Sequence, residues 1–398
     1  MDKIMQLAAE IEDELIVLRQ KLHSQPELSW QETETSKLIE AELDKLGFEN
    51  IRRGFKDTGS GVIGDLVGTH PGPCVALRAD IDALPIQEES DLPYVSKNDG
   101  VMHACGHDAH TAILLGAARI LSTMKDQIYG TVRVLFQPAE EAGMDSGAPA
   151  MIAGGALDGV QAIGGLHVWA QMPVGFFGTR TGPLMASADV WELTIQGQGG
   201  HGAMPHTAVD PTVAVAQIIS MLQTIVSREI DPLESAVVSV GKVESGSAPN
   251  VIPDKAIITG NVRTTSRETK AGMEARFRRI IDGVSSALRC TAELKYTPIY
   301  PVTINDENIT AILKESASQV VGADKLIEVP IAMGSEDFSY YGEKIPAAFG
   351  MLGIGDPEKG TDKPHHSPHF KSNDAVLSQG AALLASFALN YQKKHQKK

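Results

Sequence analysis

The sequence has few cysteines, no long apolar run and no excess of basic residues, and each shortage excludes a class of protein. Three cysteines in 398 residues cannot build a disulfide framework, which favours free thiols in a reducing compartment. No apolar run reaches the roughly 18 residues of a membrane helix. Acidic residues outnumber basic ones, giving a net charge of −15 without a long basic stripe, which argues against a nucleic-acid partner. The first 22 residues form a charged amphipathic helix pattern unlike a signal peptide, so we expect a cytoplasmic protein.

The chain is longer than one compact core usually holds, so its length predicts two domains. Short apolar segments at residues 61–66, 74–77, 130–136 and 162–166 are typical of buried strands, and helical patterns occur between them. Strands that alternate with helices indicate an α/β fold with a mixed, largely parallel sheet. Ligands are expected outside the carboxyl ends of such strands.

The pattern changes near residue 187. From there to residue 295 the order is strand, helix, strand, strand, helix, strand, which is typical of a small ferredoxin-like α+β sandwich. We therefore predict an inserted domain at 187–295, and a discontinuous first domain at 1–186 and 296–398.

A short segment, His103–His110, concentrates residues that can bind metal. It contains Cys105 and His107, separated by a glycine and followed by an apolar run that predicts a buried helix. Asp108 is the predicted N-cap of that helix. His103 and His110 are expected to be supporting or structural groups.

Four further segments carry ligand-type side chains where a predicted strand or loop ends. They are Asp80 and Asp82, Glu140 and Glu141, His167, and the segment from His365 to His369. Thiolate, imidazole and carboxylate are the ligands of zinc and similar divalent ions. The set exceeds four ligands, so it can serve either one ion or two ions that share a bridging water. Adjacent glutamates leaving a strand point in different directions, so one can bind metal while the other serves as general base.

Eight motifs, spread in order across nearly the whole chain, closely resemble those of the metal-dependent aminoacylase and carboxypeptidase family. They are Leu22-His23-x-x-Pro26-Glu27-Leu28-Ser29, Arg78-Ala79-Asp80-Ile81-Asp82-Ala83-Leu84-Pro85, Met102-His103-Ala104-Cys105-Gly106-His107-Asp108, Phe136-Gln137-Pro138-Ala139-Glu140-Glu141, Gly200-His201-Gly202-Ala203-x-Pro205-His206, Asn250-Val251-Ile252-Pro253-Asp254, Gly334-Ser335-Glu336-Asp337-Phe338 and His366-Ser367-Pro368. Within the family the chain is most similar to the amidohydrolases that act on hippurate, other N-acyl amino acids and indole-acetyl amino acids.

The resemblance implies a zinc-peptidase-like catalytic domain with an inserted lid and dimerisation domain. It implies the metal ligands Cys105, His107, Glu141, His167 and His366. Glu140 would be the general base, and Asp82 would orient the site. His201, Asn250 and Arg263 of the inserted domain would meet the acyl oxyanion and the substrate carboxylate. Many relatives have a histidine two residues before the orienting aspartate, where this chain has Asp80.

The implied function is metal-dependent hydrolysis of the amide bond of N-acyl amino acids by a metal-activated water. A carboxypeptidase or dipeptidase acting on short peptides would use the same machinery, and a metal-binding protein without catalysis is the alternative from another class. We expect one or two ions per subunit, zinc first, with manganese or cobalt as alternatives. The expected partners are a small substrate with a free carboxylate and further copies of the chain, in a homodimer or homotetramer, with neither nucleic acid nor membrane.

Overall fold

The computed structural model describes residues 1–396, and these form two compact units. The first unit contains Met1–Leu184, Ile304–Pro330 and the chain from Asp337 on, and the second contains Met185–Thr303 and Ile331–Glu336. The second unit therefore includes residues 185–186, 296–303 and 331–336, which the sequence prediction assigned to the first domain. Residues 296–303 belong to the second unit because the last strand of that unit's sheet continues to Tyr300.

Helices and short strands alternate along most of the chain. In residues 1–396 the helices are α1 (Asp2–Glu10), α2 (Glu12–His23), α3 (Thr33–Lys45), α4 (His107–Thr123), α5 (Gly147–Ala153), α6 (Pro211–Thr224), α7 (Arg267–Ala271), α8 (Met273–Ala287), α9 (Glu307–Val321), α10 (Ser339–Gly342) and α11 (Leu377–Lys394). The strands are β1 (Glu49–Arg53), β2 (Val62–Val67), β3 (His70–Asp80), β4 (Tyr129–Gln137), β5 (Val160–Pro173), β6 (Phe177–Thr179), β7 (Gly182–Met185), β8 (Ala188–Gln196), β9 (Gly200–His201), β10 (Ala236–Ser245), β11 (Val251–Ile252), β12 (Lys255–Thr264), β13 (Thr291–Tyr300), β14 (Thr303–Asn305), β15 (Leu326–Glu328) and β16 (Ala347–Gly355).

The first unit is built on an eight-stranded mixed sheet in the order β1-β2-β4-β3-β5-β16-β6-β15. Its central strands β4, β3, β5 and β16 are parallel, so their carboxyl ends lie at one edge. Helix α4 is almost wholly buried, and it packs on α11 and β3. This arrangement confirms the predicted α/β class with a largely parallel sheet.

The second unit has a four-stranded antiparallel sheet in the order β10-β12-β8-β13. Helices α6 and α8 pack against each other and against this sheet, and the core includes Trp191, Ile258 and Phe277. In chain order the sheet reads second, third, first, fourth, which is the ferredoxin-like arrangement that the sequence predicted.

Three local predictions differ from the structure. The amphipathic N-terminal segment forms two helices that meet at Ile11, because this residue leaves the first helix as a C-cap and precedes α2. The strand predicted at 162–166 continues to Pro173, because its other edge stays paired with β16. Asp108 does not cap α4, which begins one residue earlier, and its carboxylate accepts a hydrogen bond from His23 Nδ1 over 2.8 Å instead.

Among residues 1–396, none of the helices combines the length and apolar content that crossing a bilayer requires.

Candidate metal centre

The ligand-type side chains of the first unit lie at the carboxyl ends of three neighbouring parallel strands. Asp82 follows β3 by two residues, and Glu140 follows β4 by three. His167 lies within β5, but β3 pairs with β5 only as far as Gly165. His167 therefore lies just past the end of this pairing, where a side chain can leave the sheet edge. This is the location at which parallel sheets bind ligands.

The turn before α4 directs Cys105 and His107 toward the same edge. Gly106 between them has φ 89°, a left-handed conformation that favours glycine. A Cβ at this position would lie 2.4 Å from Cγ2 of Val168, so any other residue would collide with β5. His107 is the first residue of α4, and its Nδ1 lies 3.1 Å from Oδ1 of Asp82. The carboxylate thereby orients the ring and leaves Nε2 pointing into the site.

Glu140 and Glu141 follow β4, as the sequence predicted, and they begin a 3₁₀ turn, Glu140–Asp145. The chain changes direction at Ala139, whose φ of 55° is uncommon for a residue with a Cβ. The buried carboxylate of Glu32 accepts the hydrogen bond of the Ala139 amide over 2.8 Å. Oδ2 of Asp82 accepts the Glu141 amide over 3.0 Å. Two carboxylates thus hold the backbone that carries both glutamates.

His366 reaches the site from the loop between β16 and α11. It has φ 64°, and its amide donates to the carbonyl of Ala104 over 2.9 Å, which ties its loop to the segment of Cys105. Its side chain is 52% exposed, whereas those of the other predicted ligands are buried or nearly so. Non-glycine residues in left-handed conformations cluster at functional sites, and Ala139 and His366 both fit that tendency.

The five predicted ligands and Glu140 form overlapping groups around Cys105, His107 and Glu141. Among the described residues, ligand atoms within 4.8 Å of one another occur in five groups, and three of these consist entirely of the predicted ligands and Glu140: Cys105, His107 and His167; Cys105, Glu141 and His366; and His107, Glu140 and Glu141. Cys105 Sγ lies 3.4 Å from His167 Nε2, and Glu141 Oε1 lies 3.1 Å from His366 Nε2. His369, in contrast, lies with its Nε2 3.5 Å from the carboxylate of Glu89, away from these groups.

The charges of this cluster are those of a cation site. Burial, Glu141 and Glu140 raise the pKa of the Cys105 thiol well above its usual range. Burial opposes a charge on His107, but Asp80 and Asp82 outweigh it and raise the pKa to about 10. Burial holds the pKa of His167 well below its usual range, which keeps its imidazole neutral.

A divalent ion fits this donor set. His107 Nε2 is buried and has no hydrogen-bond partner among the described residues, although carboxylates lie around it. The excess negative charge would hold a proton on His107 Nε2, and a metal ion displaces such a proton when it binds. Thiolate, imidazole and carboxylate in one cluster suit zinc and related ions.

The second unit contains the other three predicted site residues, and two of them are close together. His201 of β9 pairs with Val251 of β11, and the amide of Gly202 donates to the carbonyl of Asn250 over 2.8 Å. The side chains of His201 and Asn250 are exposed. Arg263 is a half-buried residue of β12, and its Nη1 donates to the carbonyl of Val262 over 3.2 Å.

Sequence reasoning missed several side chains that support the site. Ser29 donates to Oδ2 of Asp82 over 2.7 Å, and Glu32 supports Ala139 as described above. Both come from the polar loop before α3, where nothing in the local pattern separates a buried carboxylate from a solvated one. Their function follows from contacts with residues more than 50 positions away.

Comparison with known proteins identifies the family. The sequence pattern of peptidase family M20/M25/M40 matches residues 76–390. The chain belongs to this family. The matched range contains all five predicted ligands, Cys105, His107, Glu141, His167 and His366.

Relatives in the M20 family are similar over nearly the full length. The chain is 39% identical to thermostable carboxypeptidase 2 of Saccharolobus solfataricus over 99% of both chains. It is 42% identical to the N-acetyl-L-cysteine deacetylase of Bacillus subtilis over 94% of this chain and 87% of the relative. A crystal structure of a dinuclear metal-binding M20 peptidase from Bacillus subtilis superimposes with a TM-score of 0.85 at 37% identity, covering 97% of this chain and 99% of that one.

Family membership and the ligand cluster together define the class of this M20 protein. It is a metal-dependent hydrolase of amide or peptide bonds that binds a divalent ion.

Proposed function

We propose that this M20 hydrolase cleaves the amide bond of N-acyl amino acids. One observation carries the proposal: the buried carboxylate of Glu140 lies beside a compact set of five ligand-type residues and is itself additional to that set. Release of C-terminal amino acids from short peptides is the second candidate, and the similarity to a carboxypeptidase favours it. Both reactions break an amide bond next to a carboxylate-bearing carbon.

Cys105, His107, Glu141, His167 and His366 would hold the metal, with zinc as the first candidate and manganese or cobalt as alternatives. We propose two ions per subunit, because five ligands exceed the four that one structural zinc ion takes. When bound, the metal would polarise the scissile carbonyl and lower the pKa of water. Asp82 would keep His107 and the Glu141 backbone in place through the hydrogen bonds described above.

Glu140 would serve first as general base and then as general acid. Its carboxylate would accept a proton from the attacking water and then deliver it to the leaving nitrogen, so that the amine departs neutral and Glu140 returns to its starting state. The side chain is buried, which shields this transfer from bulk solvent.

The residues of the second unit would recognise the substrate. Following the family resemblance, we propose that Arg263 and Asn250 bind the free carboxylate and that His201 stabilises the developing oxyanion. The guanidinium of arginine can bind a carboxylate through two parallel hydrogen bonds. The second unit, corresponding to the predicted domain at 187–295, would then serve as lid and dimerisation domain. A cytoplasmic location also stays a proposal, supported by the three free cysteines.

Replacing the free carboxylate of the substrate by a carboxamide should slow hydrolysis. The amide loses a charge-assisted contact worth about 1.5–3 kcal/mol, so kcat/KM should fall by about 10–100-fold. The measurement compares N-acetyl-methionine with N-acetyl-methioninamide, using zinc-loaded protein, and the dipeptide Gly-Met tests the peptidase alternative. Equal kcat/KM on the acid and its amide would remove the carboxylate contact from the proposal, and cleavage of the dipeptide alone would favour the carboxypeptidase.

Mixed dimers of two inactive variants should regain partial activity. We propose a homodimer, with a homotetramer as the alternative, in which His201 completes the site of the partner subunit. Loss of one oxyanion donor costs about 10²–10³-fold in kcat, so His201→Ala should be nearly inactive. Mixing His201→Ala with Glu140→Gln chains restores one site that has both residues.

The control for this experiment establishes that mixed dimers form. Mass spectrometry of differently labelled chains measures the extent of subunit exchange. If exchange is complete and no activity returns, His201 does not act across subunits.

A further inference from the structure

A buried histidine behind the candidate ligands uses both of its ring nitrogens. His110 lies one turn after His107 on α4, and their rings stack with centroids 5.4 Å apart. Nδ1 of His110 lies 2.5 Å from Oδ1 of Asp80, and its Nε2 lies 2.8 Å from the amide nitrogen of Val168. A backbone amide can only donate, so Nε2 must accept. His110 is therefore a neutral imidazole that carries its proton on Nδ1 and donates it to Asp80.

This hydrogen bonding makes His110 and Asp80 partners of each other rather than of a metal ion in the described arrangement. Their ligand atoms lie with that of His107 in one group tight enough for an ion, but neither nitrogen of His110 is free. Asp80 is likewise engaged on both oxygens, because its Oδ2 lies 2.7 Å from Nη1 of Arg78. The group is a hydrogen-bonded support, placed behind the ligands.

Asp80 is in turn held by a rigid, buried network. Nη2 of Arg78 lies 2.6 Å from Oδ1 of Asp337, and Nε of Arg78 donates to Gln137 over 2.9 Å. The side-chain amide of Gln137 closes the ring by donating to Oδ2 of Asp337 over 2.7 Å. The charged side chains of this network are fully buried, so Asp80 presents Oδ1 to His110 in one fixed geometry.

Val168, whose amide donates a hydrogen bond to His110, also sets the tautomer of His167 through its carbonyl oxygen. Among residues 1–396, β5 has no strand partner on its β3 side beyond Gly165, and His110 takes the place of that partner at Val168. Nδ1 of His167 lies 2.6 Å from the carbonyl oxygen of Val168, so this nitrogen carries the proton. The unprotonated Nε2 of His167 then faces Cys105 Sγ at 3.4 Å. The ring of His110 also packs against that of His167, with centroids 4.5 Å apart.

We propose that His110, fixed by Asp80, is a positioning residue that holds His167 in the tautomer and orientation needed to bind the metal. It acts through the backbone of Val168 and through ring packing. The inference rests on the proposed metal site, since it assigns a support to one of its ligands. Partners behind a metal ligand typically change metal affinity by about 10–100-fold when they are removed.

Three variants separate this role from general packing. His110→Phe keeps a ring of similar size but removes the acceptor for Val168. His110→Gln restores an acceptor, because its Oε1 can occupy the region of Nε2. His103→Phe is the matched control, because His103 is equally buried and its ring nitrogens have no hydrogen-bond partner among the described residues.

The measurement is the affinity for Co²⁺ by competition with a chromophoric chelator, together with ¹⁵N NMR of the His167 ring in metal-free protein. We expect His110→Phe to bind Co²⁺ about 10–100-fold more weakly than the wild type, and His110→Gln to stay within about tenfold of it. His103→Phe should match the wild type. His167 should be protonated on Nδ1 in the wild type and in His110→Gln, and should populate both tautomers in His110→Phe.

Two results would overturn the inference: unchanged affinity and an unchanged tautomer in folded His110→Phe, or equal losses in His110→Phe and His110→Gln. If His110→Phe does not fold, His110→Gln decides, and a loss of Co²⁺ affinity beyond about tenfold or a changed tautomer contradicts the proposed role. Cys105→Ala in the same assay keeps the two proposals apart. If it retains Co²⁺, the metal site itself is wrong; if it loses Co²⁺ while His110→Phe does not, only the role of His110 is wrong.

Discussion

Glu140→Gln should lower kcat by about 10²–10⁴-fold while the content of bound metal stays that of the wild type. The substitution keeps the shape of the side chain but removes its ability to take a proton from water. It should leave the backbone turn intact, because Glu32 and Asp82 hold that turn through the amides of Ala139 and Glu141. Steady-state kinetics and elemental analysis of the same preparation test both statements.

Glu141→Gln is the matched variant for this experiment, since it makes the same chemical change one residue further on. Glu141 is part of the groups formed with Cys105, His107 and His366, so its loss should reduce metal content as well as activity. If Glu140→Gln loses metal and Glu141→Gln retains it, the roles of base and ligand are exchanged.

Cys105→Ala should lose metal and activity together while remaining folded. Cys105 belongs to two of the ligand groups, so its removal takes one donor from both. We expect metal affinity to fall by more than about 100-fold, because removal of a residue that only supports a ligand already lowers it by about 10–100-fold. The variant should keep its circular dichroism spectrum, because the small side chain of alanine fits a position next to Ala104 and Gly106 without new contacts. Dialysis against graded zinc buffers gives the affinity.

Cys290→Ala is the control, because it makes the same substitution at another buried, free cysteine. Cys290 lies in the core of the second unit, and its sulfur contacts the carbonyl of Leu288. It should retain wild-type metal content and activity. Zinc affinity of Cys105→Ala equal to that of Cys290→Ala would remove Cys105 from the ligand set.

The sequence was sufficient to predict the class of each unit, because periodicity and strand order are local properties. The parallel sheet followed from strands alternating with helices, and the ferredoxin-like unit followed from its order of elements. The prediction that ligand-type residues meet at one edge also relied on a general property of parallel sheets. Strand limits were less predictable: β5 continues past His167 because β16 still pairs with it, which no pattern within 162–166 indicates.

The supports of the site could not be predicted, because they depend on contacts between distant segments. Glu32 lies 107 positions from Ala139, and His110 lies 58 positions from Val168. Asp108 shows the same limit in the opposite sense. Its position before an apolar run suggested a helix cap, but its carboxylate is hydrogen-bonded to His23, which lies 85 positions away.

The central claim is that hydrolysis depends on a divalent ion held by Cys105, His107, Glu141, His167 and His366. The most direct test titrates metal-free protein with Zn²⁺ and records bound metal and hydrolysis of N-acetyl-methionine in the same samples. The rate should rise with bound zinc and stop rising when the site is filled, and chelation should abolish it. Full turnover by protein shown to contain no metal would contradict the claim.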